Sequence, residues 1–447
     1  TIAAALVKGT PQFLPGKGEF DEHDPGRLER RCKLVRALKP VDSLNFSELM
    51  QTLCLSTDYK DFTSEIDNTF TSIVDRVPVV GKVDEDVFVK HFLSVVELIS
   101  ACAKDHNYLP ERYLTTPLVA VDTQSSGPSG TRLRPDVVFT TIEEGNVSIG
   151  DVRLLVEAKT DKGLDAHRTH IGQMADYALL LWKCQPTRTF VPVLFLHAHD
   201  LDLLVFTRRG YYVAPVGQVL HERTSRYDMS DSISKSLRRL WFLLTLPANK
   251  FGFLFDSHEF PHDVSIDTRS VPATIADASN SPSGLVFGIG ELIDRPLWIT
   301  GQCSYLLEAN YQEKGAVLKL SWSRTNRLPE GAVYRVLEEH GVPNIPKIFA
   351  SGILIENFDG YRLEFLVMRN CGTPIVKLNN AVDGVGSHIK HVASTLTEAL
   401  AAGILHRDIS AGNITIDDGM AYVIDWGCAK LLNPPADTSL RNEIAAK

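Results

Sequence analysis

Apolar positions fall at helical spacing between Asp84 and Ala103, where the pattern Val87, Phe88, His91, Phe92, Val95, Val96 and Ile99 predicts an amphipathic helix packed on the next part of the chain. Beyond it, β-like runs at 135–141, 152–158, 189–197 and 201–206 interleave with a helical segment at about 167–182, and a helix at 230–246 closes the region. Strands alternating with a helix predict a domain built on a mixed sheet. The stretch 256–283 is rich in Ser, Asp, Pro and Thr without periodicity, the composition of an exposed connection. After it come β-like runs at 297–309 and 316–322, a helix at 329–340, a β pair through 345–353 and 361–368, and a helix at 382–402. The first 80 residues hold charged helical stretches such as 26–38. The expected organisation is α+β: a helical lead-in over 1–80, an α/β domain over 81–255, a linker over 256–284 and a second domain over 285–447.

Composition narrows the class. At 447 residues, 44% hydrophobic and 23% charged, the chain is long enough for two or three cores and resembles ordinary globular protein. A formal net charge of -9 argues against general affinity for phosphate backbones, so a nucleic-acid partner is expected only through a local groove on the N-terminal domain. Seven scattered cysteines without a C-x-x-C pair favour a reducing compartment over a disulfide framework or structural zinc. No apolar run reaches about 18 residues, so no membrane span is expected. The expected location is intracellular, in the cytoplasm or nucleus. The first residue is Thr rather than Met, which leaves a lost N-terminal leader open.

The chemistry-bearing residues cluster toward the C-terminus. The segment Ile404-Leu-His-Arg-Asp-Ile-Ser-Ala-Gly-Asn-Ile-Thr-Ile-Asp417 has the form H-R-D-x-x-x-x-N, the loop that presents an aspartate to an attacking hydroxyl in phosphoryl transfer. His406, Arg407 and Asp408 are thus candidate catalytic residues, with Asp408 as the base or orienter. Asn413 is a candidate ligand for Mg²⁺. Twelve residues on, Val423-Ile-Asp-Trp-Gly427 reads as a D-F-G element with Trp in the Phe position; Asp425 would hold Mg²⁺ and Gly427 would let the chain turn away.

Upstream, Gly315-Ala-Val-Leu-Lys319-Leu reads as an edge strand and matches the V-A-I-K pattern whose lysine pairs with nucleotide phosphates. Glu330 is its expected partner on the following helix, with Glu338 as the fallback. A phosphate-cradling loop is expected before Lys319, where Thr300-Gly301-Gln-Cys-Ser304 lies at a plausible distance but holds a single glycine and is degenerate; Met368 lies in the strand leading to the expected adenine hinge. These residues imply ATP and Mg²⁺ as cofactors.

A second constellation lies in the first domain. Arg134-Pro-Asp136-Val-Val-Phe and Leu154-Leu-Val-Glu157-Ala-Lys159 match the P-D…(D/E)-x-K arrangement of the restriction-endonuclease-like fold, with Glu157 and Lys159 projecting from one strand face. Gln173 and Tyr177, one helical turn apart, resemble the Q-x-x-x-Y element of related nucleases. Asp136 and Glu157 could hold a metal while Lys159 polarises a water. The same core also persists as a scaffold that cuts nothing.

Together with Gln185-Pro-Thr-Arg188-Thr-Phe, these motifs resemble the fungal-type protein kinase family over roughly residues 80–430. The resemblance implies a restriction-endonuclease-like domain followed by a protein-kinase-like domain with an N-lobe at 285–372 and a partial C-lobe at 373–447. It implies ATP-dependent phosphorylation of serine or threonine on a protein substrate. Two departures qualify it: Ser410 stands where such kinases carry lysine, and only 20 residues follow Gly427, with no A-P-E element. The alternatives are a pseudokinase or nucleotide-binding scaffold, small-molecule phosphotransfer, and a metal-dependent nuclease acting through the first domain.

Overall fold

The computed structural model describes residues 40–52, 69–81, 84–105, 119–122, 135–140, 149–160, 164–185, 188–222, 230–253, 263–266, 273–275, 285–294, 303–311, 314–378 and 385–432. The chain divides into two compact units, Thr1–Phe260 with Leu297–Thr300, and Pro261–Pro296 with Gly301–Lys447.

In the first unit the elements run β1 (Pro40–Ser43), α1 (Phe46–Thr52), α2 (Glu85–Asp105), β2 (Val119–Asp122), β3 (Val137–Thr140), β4 (Val152–Lys159), α3 (Leu164–Cys184), β5 (Val191–His197), β6 (Asp200–Phe206), β7 (Tyr211–Gln218) and α4 (Ser230–Leu244). The strands form one seven-stranded sheet in the order β1-β7-β6-β5-β4-β3-β2. It is mixed: β4 runs parallel to β5 and β1 parallel to β7, and the remaining pairs are antiparallel. Seven of the eight residues of β4 are buried, as expected of a central strand covered on both faces, and α3 lays Met174, Ala178, Leu181 and Trp182 into the same core.

Helix α2 buries Phe88, Val89, Phe92, Val95, Val96 and Ile99, while Val87 is 40% exposed, so the apolar stripe is rotated by about one residue from the expected one. Within the expected helical lead-in, Pro40–Ser43 is instead a strand that extends the sheet edge beside β7. Strand pairing between residues so far apart in sequence leaves no local periodicity to read. The next helix, α1, is fixed locally: Asn45 Oδ1 accepts the Glu48 N–H (2.9 Å) and Glu48 Oε2 accepts the Asn45 N–H (2.8 Å), a reciprocal capping box.

The second unit contains β8 (Asp263–Ile266), β9 (Ala273–Ile275), β10 (Leu285–Asp294), β11 (Cys303–Tyr311), β12 (Lys314–Arg324), α5 (Glu330–Glu339), β13 (Ile348–Phe358), β14 (Tyr361–Arg369), α6 (Val385–Ala401), β15 (Ile414–Asp417) and β16 (Met420–Val423). Its large sheet is antiparallel throughout, in the order β8-β10-β11-β12-β14-β13-β9. Strands β8 and β9 fall inside the stretch expected as a linker and close the two edges of this sheet, so part of that stretch belongs to the second unit. Hairpin β15–β16 pairs with Thr373–Pro374 in a separate three-stranded sheet.

A single apolar cluster gathers Val333, Tyr334 and Leu337 of α5, Leu366 and Met368 of β14, Ala399 of α6, Val423 and Trp426. One core therefore fixes the helix that carries Glu330 and the turn that carries Asp425. Among the described residues no helix is long and apolar enough to cross a membrane.

Candidate functional site

Lys319 lies mid-strand in β12, 3% exposed, between Leu306 and Leu366 of the flanking strands, so β12 is an interior strand paired on both sides rather than the expected edge strand. A lysine so buried needs compensation, and two carboxylates provide it: Glu330 Oε2 and Asp425 Oδ1 each lie 2.7 Å from Nζ. Glu330 is the first residue of α5, and Asp425 follows β16. Burial opposes the charge on Lys319, but the combined field of Asp425 and Glu330 outweighs it and holds the amine above its ordinary range. The same lysine draws Asp425 below the usual carboxylate value against the effect of burial. Glu330 is pushed up to about 7, because its burial outweighs the attraction of Lys319. The fallback residue Glu338 is occupied elsewhere, its Oε1 accepting the Ile348 N–H at 3.3 Å.

Asp425 has φ 61° and ψ 65°, in the left-handed region, and it is this residue that re-aims the chain. Gly427, expected to make the turn, lies instead within the 3-10 turn Trp426–Cys428. The indole of Trp426 is fully buried, donates to the Val423 carbonyl at 3.2 Å and packs on His406 with ring centroids 4.4 Å apart.

His406 joins the two motifs. Its Nδ1 accepts the Asp408 N–H at 3.2 Å, which leaves the hydrogen on Nε2 to donate to the Ile424 carbonyl at 3.0 Å. Acceptance at Nδ1 requires a neutral imidazole, and burial lowers the His406 pKa, which favours that form. Arg407, at φ 69°, donates from Nε to the Cys428 carbonyl at 2.7 Å. Asp408 is thereby held at the surface, where Asn413 Nδ2 donates to its backbone oxygen (2.9 Å) and to its Oδ2 (3.1 Å). The Asn413 carbonyl accepts the Ile424 N–H at 3.0 Å, which sets Asn413 beside Asp425 across the hairpin.

The donor set suits magnesium. The Asp425 carboxylate and Asn413 Oδ1, which accepts no hydrogen bond among the described residues, are hard oxygen ligands. Magnesium is typically held by one or two such groups, with waters and substrate phosphates completing its octahedron. Among the described residues no three His, Cys, Asp or Glu side chains form a cage of their own. Met368 is buried in the apolar cluster at the end of β14, next to the connection through Gly372. Gly301 lies outside the described residues.

The first unit also draws its predicted residues together. Asp136 Oδ2 accepts the Ala158 N–H at 2.6 Å, and Lys159 Nζ lies 2.8 Å from Glu157 Oε1 and 4.0 Å from Asp136 Oδ2. Tyr177 donates to Glu157 Oε2 at 3.1 Å and receives Gln173 Nε2 at 2.8 Å. One member escapes the motif: Glu85, opening α2, takes Lys159 at 2.6 Å. Only its place at the start of an amphipathic helix hinted at it. Glu157, 1% exposed, is pushed up to about 7 by burial and by Asp136, against the pull of Lys159.

Comparison with known proteins adds two findings. The sequence profile of a family described as Fungal protein kinase matches residues 134–360. Over 111 residues the chain is 32% identical to the probable serine/threonine-protein kinase PknB of Bifidobacterium longum (strain NCC 2705), an alignment covering 23% of this chain and 16% of that protein. The chain therefore spans only a small part of that relative.

Proposed function

The chain belongs to the fungal protein kinase family, and from that premise we propose that its C-terminal unit transfers the terminal phosphoryl group of ATP to a serine or threonine hydroxyl of a protein. The observation that carries this reading is the buried meeting of Lys319 with Glu330 and Asp425, each at 2.7 Å, drawn from three separated segments. A buried lysine flanked by two carboxylates forms a charge-compensated site that an incoming polyphosphate can enter. The preference for serine or threonine rests on the likeness to the bacterial serine/threonine-protein kinase.

In this reading Lys319 neutralises the inner phosphates, and Glu330 fixes the direction of its amine. Asp425 and Asn413 are the side chains that would hold magnesium, which when bound offsets charge on the phosphate oxygens. Asp408 accepts the hydroxyl proton of the substrate and orients the oxygen for in-line attack. His406 and Arg407 hold Asp408 and the Asp425 turn in one frame. The barrier falls mainly through positioning and electrostatics.

The N-terminal unit is read as a scaffold rather than a nuclease. Lys159 is spent on Glu85 and Glu157, and Asp136 on the Ala158 amide. The test for the kinase unit is a calorimetric titration of ATP with and without Mg²⁺ into the chain, Lys319→Met and Asp425→Ala. Magnesium-dependent binding lost in both variants is expected; binding unaffected by either overturns the reading. Transfer to a generic protein substrate that vanishes in Asp408→Asn separates a working kinase from a nucleotide-binding scaffold.

A further inference from the structure

Behind the Lys319–Glu330 pair lies a second buried pair of charges. Glu364 of β14 is 4% exposed and Arg362 1%. Glu364 Oε2 accepts the backbone N–H of Glu330 at 2.8 Å, while its Oε1 accepts Arg362 Nε at 2.6 Å and the hydroxyl of Ser323. Arg362 reaches on to the Arg327 carbonyl and to that of Thr325 (3.5 Å), gripping the connection between β12 and α5.

The start of α5 explains what this network is for. A helix leaves its first amides without partners, and a side chain at the N-cap ordinarily takes one of them. Here the N-cap is Pro329, which makes no side-chain cap hydrogen bond. The missing acceptor comes from another element, and its negative charge lies where the helix dipole favours one. Gly331 seats the same turn against β13: a Cβ there would overlap the Ser351 side chain. The backbone of Glu330 is thus fixed from two strands, and its carboxylate is carried to Lys319.

A buried ion pair contributes little net stability compared with apolar side chains of the same volume, so stability alone is a weak reason for this one. We propose that Glu364, held by Arg362 and Ser323, is a positioning residue that sets the Lys319–Glu330 pair and through it the affinity for nucleotide. This rests on Lys319 being the phosphate-binding lysine.

The experiment is a titration of Mg-ATP into the full chain and into Glu364→Ala, Glu364→Gln, Glu330→Gln, Glu330→Gln/Glu364→Ala and Lys319→Met, with near-ultraviolet circular dichroism to verify folding. If Glu364 acts through Glu330, Glu364→Ala weakens binding about tenfold and loses most of that effect when Glu330 is already Gln, the signature of coupled neighbours. Glu364→Gln, which keeps an oxygen acceptor for the Glu330 amide, recovers most of the affinity. Full affinity in folded Glu364→Ala, or the same loss in both backgrounds, overturns the proposal. Should Glu364→Ala fail to fold, Ser323→Ala is read in its place: a loss that disappears in the Glu330→Gln background supports the proposal, and unchanged affinity overturns it. Full affinity in Lys319→Met strikes at the nucleotide reading itself, whereas loss there with an additive Glu364 effect strikes at this inference alone.

Discussion

Glu157 shows how a single side chain can make stability depend on pH. Its folded pKa of about 7 lies above the 4.5 of an ordinary glutamate, so between these values the folded chain holds more protons than the unfolded one. The stability it contributes is fully present below about 4.5 and is lost as pH rises through about 7. The shift corresponds to roughly 3 kcal/mol at about 1.4 kcal/mol per unit. Glu157→Gln removes this dependence, so urea melts of the variant should lose less stability than the parent between pH 5 and 8. A parallel pH dependence in the two proteins would mean that Glu157 stays ionised when folded. Trp426 makes a second prediction at this scale. Trp426→Phe keeps the aromatic packing on His406 but leaves the buried Val423 carbonyl without the indole donor, at a cost of about 1–2 kcal/mol in thermal melts. The Asp408, Asn413 and Asp425 positions were legible because their spacing lies within one loop and one hairpin. Glu364 was not, since its partner is a backbone amide 34 residues away in sequence.

At the scale of elements, Gln185 and Arg188 belong to architecture rather than chemistry. Gln185 Nε2 reaches the carbonyls of Ile149, Gly150 and Val152, while the buried Arg188 donates to the Phe190, Phe251, Val152 and Arg153 carbonyls and to Gln185 Oε1. This clasp ties the end of α3 to the start of β4. Arg188→Met should strand several buried acceptors and destabilise the chain by about 3 kcal/mol or more, read from chemical denaturation. An equally stable variant would show that water replaces the guanidinium. Gly372 has a comparable place before the three-stranded sheet: at φ 81° a Cβ would overlap the Ile416 carbonyl, so Gly372→Ala should displace Thr373–Pro374 from β15. Helices α2 and α5 and strand β12 were readable from periodicity. Strands β1, β8 and β9 were not, because their pairing is settled by distant edges rather than by their own alternation.

For the whole molecule, two compact units with separate cores predict more than one calorimetric transition. Mg-ATP at about a hundred times its dissociation constant should stabilise the unit that binds it by about 2.7 kcal/mol, raising one transition. A scan in which no transition responds would contradict nucleotide binding at Lys319. The family match runs across both units, from residue 134 to 360, yet stops before Asp408, Asn413 and Asp425. The case for those three residues therefore rests on the loop motif and on the geometry that brings Asp425 to Lys319.

The sequence by itself singled out the candidate residues that lie at short spacing: the histidine-to-asparagine loop, the aspartate after the hydrophobic strand, the lysine in its strand, and Asp136, Glu157 and Lys159. Tertiary structure decided which charges meet. Asp425 lies 106 residues from Lys319, and Glu85 lies 74 residues from Lys159. Tertiary structure also decided that Asp425, rather than Gly427, takes the left-handed turn. Local spacing constrains neighbours through backbone geometry alone, whereas a buried lysine takes its partners from whichever carboxylates the packed core delivers within about 3 Å.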